Sequence, residues 1–131
     1  MKILFLGDII GKIGRDVCDV ILPQLKEELK PDLILANGEN SSHGYGITAK
    51  VYTELTELGI SGFTMGNHVW DKKDLLKEPD KMPFVARPAN YPPGVPGNDL
   101  LVLEAGKHKV AVINLLGRVF MQCLDCPFQT I

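Results

Sequence analysis

The sequence predicts an α/β fold built on a parallel sheet. Three observations point there: a short apolar run opens the chain, strand-like and helix-like segments alternate after it, and each strand-like segment ends in glycine followed by polar residues. The opening run, Ile3 to Leu6, halts at Gly7-Asp8. Its unbroken apolarity is that of a parallel strand buried on both faces.

A helical pattern follows over about Arg15 to Leu29, with Val17, Ile21 and Leu25 assigned to its core face and Pro23 as a point of bending. Pro31 and Asp32 end it and lead into a second strand, Leu33 to Ala36, which delivers the loop Asn37 to Gly46. Thr48 is placed to cap a second helix that ends near Leu58, with Gly59 as its stop. A third strand, Gly62 to Met65, presents Gly66, Asn67 and His68 at its carboxyl end. Strand, helix, strand, helix, strand is the order of a parallel sheet with crossover connections. A short helix is expected near Lys72 to Leu76, an irregular surface loop over Arg87 to Gly97, and a hairpin from Leu100–Glu104 and Val110–Asn114.

With 131 residues, 45% of them hydrophobic, the chain suffices for one domain with an ordinary core. A net charge of -2 and a pI near 5.9 do not suit a surface that grips long nucleic acid through its phosphates, so no sequence-specific nucleic-acid binding is expected. The N-terminal apolar run is too short for a signal-peptide core or a membrane span, which leads to the expectation of a cytoplasmic protein without a membrane partner. An odd number of cysteines, three, makes no disulfide framework and agrees with a reducing compartment.

The residues that carry chemistry are Asp8, Glu39 with Asn40, and Asn67 with His68, each cluster preceded by glycine. Carboxylate and amide oxygens are hard ligands suited to divalent cations, and histidine adds nitrogen ligation or proton transfer. Any one cluster alone reads as turn-capping polarity. Three of them at successive strand ends converge, because ligands collect at the carboxyl edge of a parallel sheet.

The motifs GDIIGKIGR, ANGEN, GIT, TMGNHVWD and INLLGRVFM together resemble the calcineurin-like metallophosphoesterases, and within them the bacterial 2',3'-cyclic-nucleotide 2'-phosphodiesterases of the YmdB type. Ile10 stands where the wider superfamily has a histidine, and Glu39 where it has a bridging aspartate; both departures match the narrower group. The resemblance implies the N-terminal half of a four-layer αββα sandwich, with the parallel sheet and crossover helices followed by the hairpin. It implies a binuclear site of two divalent or mixed-valence ions, iron first, with manganese or zinc as alternatives. Asp8 would bind one metal, Glu39 bridge both, Asn67 bind the second, and Asn40 contribute from the bridging loop. His68 would be the catalytic residue, acting as the acid or stabilising developing charge.

Two cations roughly 3.5 to 4 Å apart would polarise the phosphoryl group and generate a hydroxide for in-line attack, leaving a 3'-phosphate from a small cyclic-nucleotide substrate. Members of the group are longer, and their second half supplies further histidine ligands, so residues 1–131 correspond to a metallophosphoesterase domain lacking its C-terminal half. Neither His43 nor His108 is assigned a ligand role; both read as solvated loop histidines. The competing reading is a non-catalytic fragment, or a module that binds nucleotide or a partner through an incomplete metal site. A second copy and a complementing C-terminal half are the partners considered.

Three weaker signals remain. Gly7 to Lys12 is one residue short of a triphosphate-binding loop, and Gly7, Gly11 and Gly14 lack the close glycine pair of a dinucleotide site. Arg15 is a candidate anion ligand at the start of the first helix, against an ordinary solvated arginine. Cys123 and Cys126 form a single CxxC pair, read as two loop thiols, and Trp70-Asp71 is read as packing the following helix in preference to lining a substrate mouth.

Overall fold

The computed structural model describes residues 1–131 and is a mixed α/β structure. Its main sheet has four parallel strands in the order β1 (Ile3–Leu6), β2 (Leu33–Asn37), β3 (Gly62–Thr64) and β4 (Val85–Ala86). Helix α1 (Gly11–Leu29) connects β1 to β2, and α2 (Ala49–Glu57) connects β2 to β3. Thr48 caps α2 as expected, its hydroxyl accepting from Val51 N at 3.3 Å. A short helix α3 (Asp74–Lys77) precedes β4. The antiparallel hairpin β5 (Leu100–Ala105) and β6 (His108–Ile113) follows, and the short helix α4 (Pro127–Thr130) lies near the last residue.

Alternation along the strands creates two cores. Ile34, Ala36 and Phe63 point to the face covered by Cys18 and Leu22 of α1 and by Val51, Tyr52 and Leu55 of α2. Leu33, Leu35 and Ala86 point to the opposite face, beneath Leu101, Leu103 and Val112 of the hairpin. No helix is long and apolar enough to cross a membrane.

Three expectations are corrected. β1 is not buried on both faces: it pairs with β2 alone, and Ile3 and Phe5 stay 44% and 51% exposed because the hairpin covers β2 but stops short of β1. Within α1 the core face is centred on Cys18 and Leu22, one residue on from the expected register. Val17 and Ile21 are exposed on a flank that nothing in the chain covers. The segment Arg87 to Gly97 is only in part a surface loop. Val85-Ala86 just before it forms the fourth strand, and Arg87, Pro88, Asn90 and Tyr91 are buried. Burial there is tolerated because the polar groups are satisfied. Arg87 donates to Pro88 O at 2.9 Å and Gly97 O at 3.2 Å, while Asn90 Nδ2 donates to Leu116 O at 2.8 Å and Asp125 O at 3.0 Å.

Burial pushes the Cys18 thiol above its ordinary pKa, so the neutral form is favoured in the folded state. The register of α1 makes a simple prediction for stability. Leu22→Ala removes a fully buried side chain and should cost about 2–5 kcal/mol, whereas Val17→Ala should change stability by no more than about 0.5 kcal/mol, both read from urea denaturation midpoints.

Candidate active site

Parallel pairing places the carboxyl ends of β1, β2 and β3 on one rim, with Leu6 beside Ala36 and Asn37 beside Thr64. The next residues of each strand carry the polar clusters. Gly11 N donates to Asn40 O at 2.9 Å and Ile9 N to Asn37 O at 3.1 Å, tying the first loop to the second. Asp8 itself takes φ of 36°, a left-handed conformation uncommon outside glycine, and its carboxylate accepts from Asn40 Nδ2 at 2.7 Å.

Glu39 lies against the third loop. A Cβ on Gly66 would overlap both carboxylate oxygens, so only glycine permits this approach. Asn37 Nδ2 at 3.4 Å and His68 N at 3.5 Å are the nearest donors to that carboxylate, both at the long limit of hydrogen bonding. Asn67 Nδ2 and His68 Nε2 are 3.1 Å apart, and His68 Nδ1 meets Asp71 Oδ2 at 2.7 Å. The edge of the His68 ring packs against Tyr45, with centroids 5.1 Å apart.

The loop between β2 and α2 holds this arrangement rigid. Ser41 Oγ donates to Gly38 O at 2.8 Å, Ser42 N to Gly46 O at 3.0 Å, and Thr48 N to Ser42 Oγ at 3.1 Å. Gly46, at φ of 70°, passes so close to the third loop that a Cβ would sit 3.1 Å from His68 O. Arg15 is not free to bind an anion. Its Nε donates to Glu54 at 2.9 Å and its Nη1 to Ser41 O at 2.6 Å, so it clamps α1, α2 and the loop together.

All five singled-out residues, Asp8, Glu39, Asn40, Asn67 and His68, therefore line one rim. Asp8 and Glu39 are the carboxylates, and neither has a Lys or Arg partner within 4.0 Å. Two anionic groups facing only amides and backbone form a hard-oxygen environment that fits a divalent cation. The fit is partial, because no three His, Cys, Asp or Glu side chains stand close enough to enclose an ion.

His43 is exposed on the loop surface, and His108 opens β6 at the end away from the rim, since Asn114 at the other end donates to Met65 O. Cys123 and Cys126 are free thiols. Lys12 pairs with Asp16 at 2.6 Å, four residues on along α1.

A profile described as "YmdB-like protein" matches residues 4–131. The chain belongs to the YmdB-like family. Over 128 residues it is 46% identical to the 2',3'-cyclic-nucleotide 2'-phosphodiesterase of Bacillus subtilis, a match that takes in 98% of this chain and 48% of that protein. Among solved structures it is similar to a hypothetical protein from Thermus thermophilus, with TM-score 0.88 and 37% identity over 99% of this chain and 50% of the other. It is equally similar to a crystal structure described as a novel phosphatase of Mycoplasma pneumoniae, with TM-score 0.88 and 37% identity over 98% of this chain and 48% of that one. The chain thus spans about half the length of these relatives, two of which are named as a phosphodiesterase and a phosphatase.

Three neighbours of the YmdB-like rim, Asn37, Asp71 and Tyr91, were missed or undervalued from sequence. Asn37 is the last residue of β2 inside the ANGEN motif, and its position two residues before Glu39 was the available signal. Asp71 lies three residues after His68, spacing that permits their hydrogen bond once the segment turns. Trp70 does pack, its ring 4.7 Å from that of Tyr91. Burial first, and then the charges of Asp71 and Glu39, raise the Tyr91 pKa; nothing local in the sequence announced that proximity.

Gly66→Ala should force Glu39 off the third loop and lower stability by about 1–3 kcal/mol. Gly7→Ala, whose Cβ would meet nothing within 4 Å, should stay within about 0.5 kcal/mol in the same urea titration.

Proposed function

We propose that this chain carries half of the catalytic site of a metal-dependent phosphodiesterase that hydrolyses 2',3'-cyclic nucleotides to 3'-phosphates. The observation that carries the reading is that Asp8 and Glu39, neither paired with a Lys or Arg, lie on the rim that also bears Asn40, Asn67 and His68. The 46% identity to a 2',3'-cyclic-nucleotide 2'-phosphodiesterase supports the substrate class.

Asp8, Glu39, Asn40 and Asn67 would hold two metal ions, iron first and manganese or zinc as alternatives. When bound, the ions supply charge neutralisation at the phosphoryl group and a hydroxide nucleophile at neutral pH. Glu39 would be shared between the two ions, and Asn40, whose Nδ2 donates to Asp8 at 2.7 Å, would contribute its amide oxygen from the same loop. His68, its Nδ1 oriented by Asp71, would hold a proton at Nε2 for the departing 2' oxygen once the Asn67 amide, whose Nδ2 faces Nε2 at 3.1 Å, turns aside. Closure around the substrate would come from a complementing polypeptide that adds the remaining ligands.

The alternative, an incomplete site that binds nucleotide or a partner without turnover, rests on the lack of a three-residue ligand cluster in this chain. Metal content separates the two: two ions held tightly per chain favour the enzyme, one or none the binding module. In the assembled protein with manganese supplied, Asn67→Ala should lower kcat/KM on 2',3'-cyclic AMP by about 10- to 100-fold. Unchanged turnover would remove Asn67 from the site.

A further inference from the structure

Of the aromatic rings near the rim, one is turned outward. Trp70 and Tyr91 lie against each other, and Tyr91 is buried. Tyr45 is 57% exposed, and its ring meets that of His68 at 81°, with centroids 5.1 Å apart. Exposure of a tyrosine on a loop is ordinary by itself. What sets Tyr45 apart is how firmly the chain presents it.

His43, Gly44 and Gly46 all have positive φ, at 60°, 84° and 70°. A left-handed backbone on both sides of Tyr45 turns the main chain inward. There the amides of Gly44, Tyr45 and Gly46 donate to Asn40 O at 3.1 Å, to Ser42 O at 3.3 Å and to Glu39 O. Gly46 is also pressed against the third loop, where a Cβ would stand 3.0 Å from Lys72 N and 3.1 Å from His68 O. The backbone of Tyr45 is therefore tied to the residues of the rim, and its ring is left standing beside His68. An aromatic side chain on so fixed a backbone has two torsions to lose on binding, so contact with a second ring costs it little entropy.

We propose that Tyr45 is a substrate-binding residue, the platform on which the base of the nucleotide stacks, and that it sets the preference among bases. The inference rests on the proposed function for the position of the substrate, whose departing 2' oxygen faces His68. In a 2',3'-cyclic nucleotide that oxygen and the base are carried by adjacent ribose carbons. A substrate with its 2' oxygen at His68 thus brings its base beside the His68 ring, and the exposed ring in contact there is that of Tyr45. Every base has a π-face, so stacking accepts all of them, but the fused rings of a purine cover more of the tyrosine than a pyrimidine does. The site therefore favours 2',3'-cyclic AMP over 2',3'-cyclic CMP. A tyrosine that only propped His68 would act on every substrate alike, whereas a platform acts only on those that carry a base.

The test uses the assembled protein, with manganese supplied, on these two nucleotides and on methyl ribofuranoside 2,3-cyclic phosphate, which has no base. Tyr45→Ala, an exposed change whose folding is checked by thermal denaturation, should raise KM for 2',3'-cyclic AMP about tenfold or more with kcat little changed. It should also narrow the preference for adenine over cytosine and leave kcat/KM on the base-free compound as it was. Tyr45→Phe should retain the behaviour of the unchanged protein. Equal losses on all three compounds overturn the proposal, because they mark a support for His68, and so does an unchanged KM for 2',3'-cyclic AMP. A second measurement needs no turnover: titration with adenosine 3'-monophosphate should move the NMR signals of the Tyr45 ring upfield, and ribose 3-phosphate should not. Absence of that shift overturns the platform even in an active enzyme. The shift in a protein that turns over none of the three compounds upholds the platform and sinks the phosphodiesterase reading.

Discussion

The parallel alignment of β1, β2 and β3 is the constraint on which the rest of this molecule depends. Because all three strands run the same way and pair in near register, the residues that follow Leu6, Asn37 and Thr64 have to leave from one rim. The contacts that join the candidate site cross between those exits: Asp8 to Asn40, and Glu39 to Gly66 and His68. The crossover helices are what make parallel pairing possible, and their burial of Leu22 and Leu55 stabilises the sheet that positions the rim.

The rim combines rigid backbone with unsettled charge. Glycine at position 66 lets a carboxylate lie on the main chain, Ser41 and Ser42 lock the loop that bears it, and Arg15 is engaged in holding that loop to two helices. Glu39 and Asp8 are left with amide donors only, and the donors to Glu39 are long. His68, gripped by Asp71 and flanked by Tyr45, has one ring nitrogen engaged on each side, so its orientation is set before any ligand arrives.

The same topology explains why so much apolar surface is left over. A hairpin of two strands cannot cover a sheet of four, and the strand it leaves bare is the one whose other edge is also unpaired. The exposed flank of α1 belongs to that edge as well.

Local sequence determined the element order through β3, the cap at Thr48, the hairpin and the identity of the five rim residues, because these follow from periodicity, turn chemistry and glycine placement within a few residues. Resemblance carried the family, and from it the roles assigned to those residues. What only the tertiary structure decided was burial and partnership. A run such as Ile3 to Leu6 is equally apolar in a central strand and at an edge, and Val17 and Ile21 are as compatible with a helix flank as with its core. The clamp of Arg15 and the approach of Tyr91 to Glu39 depend on chain segments meeting in space, which no spacing along the sequence encodes.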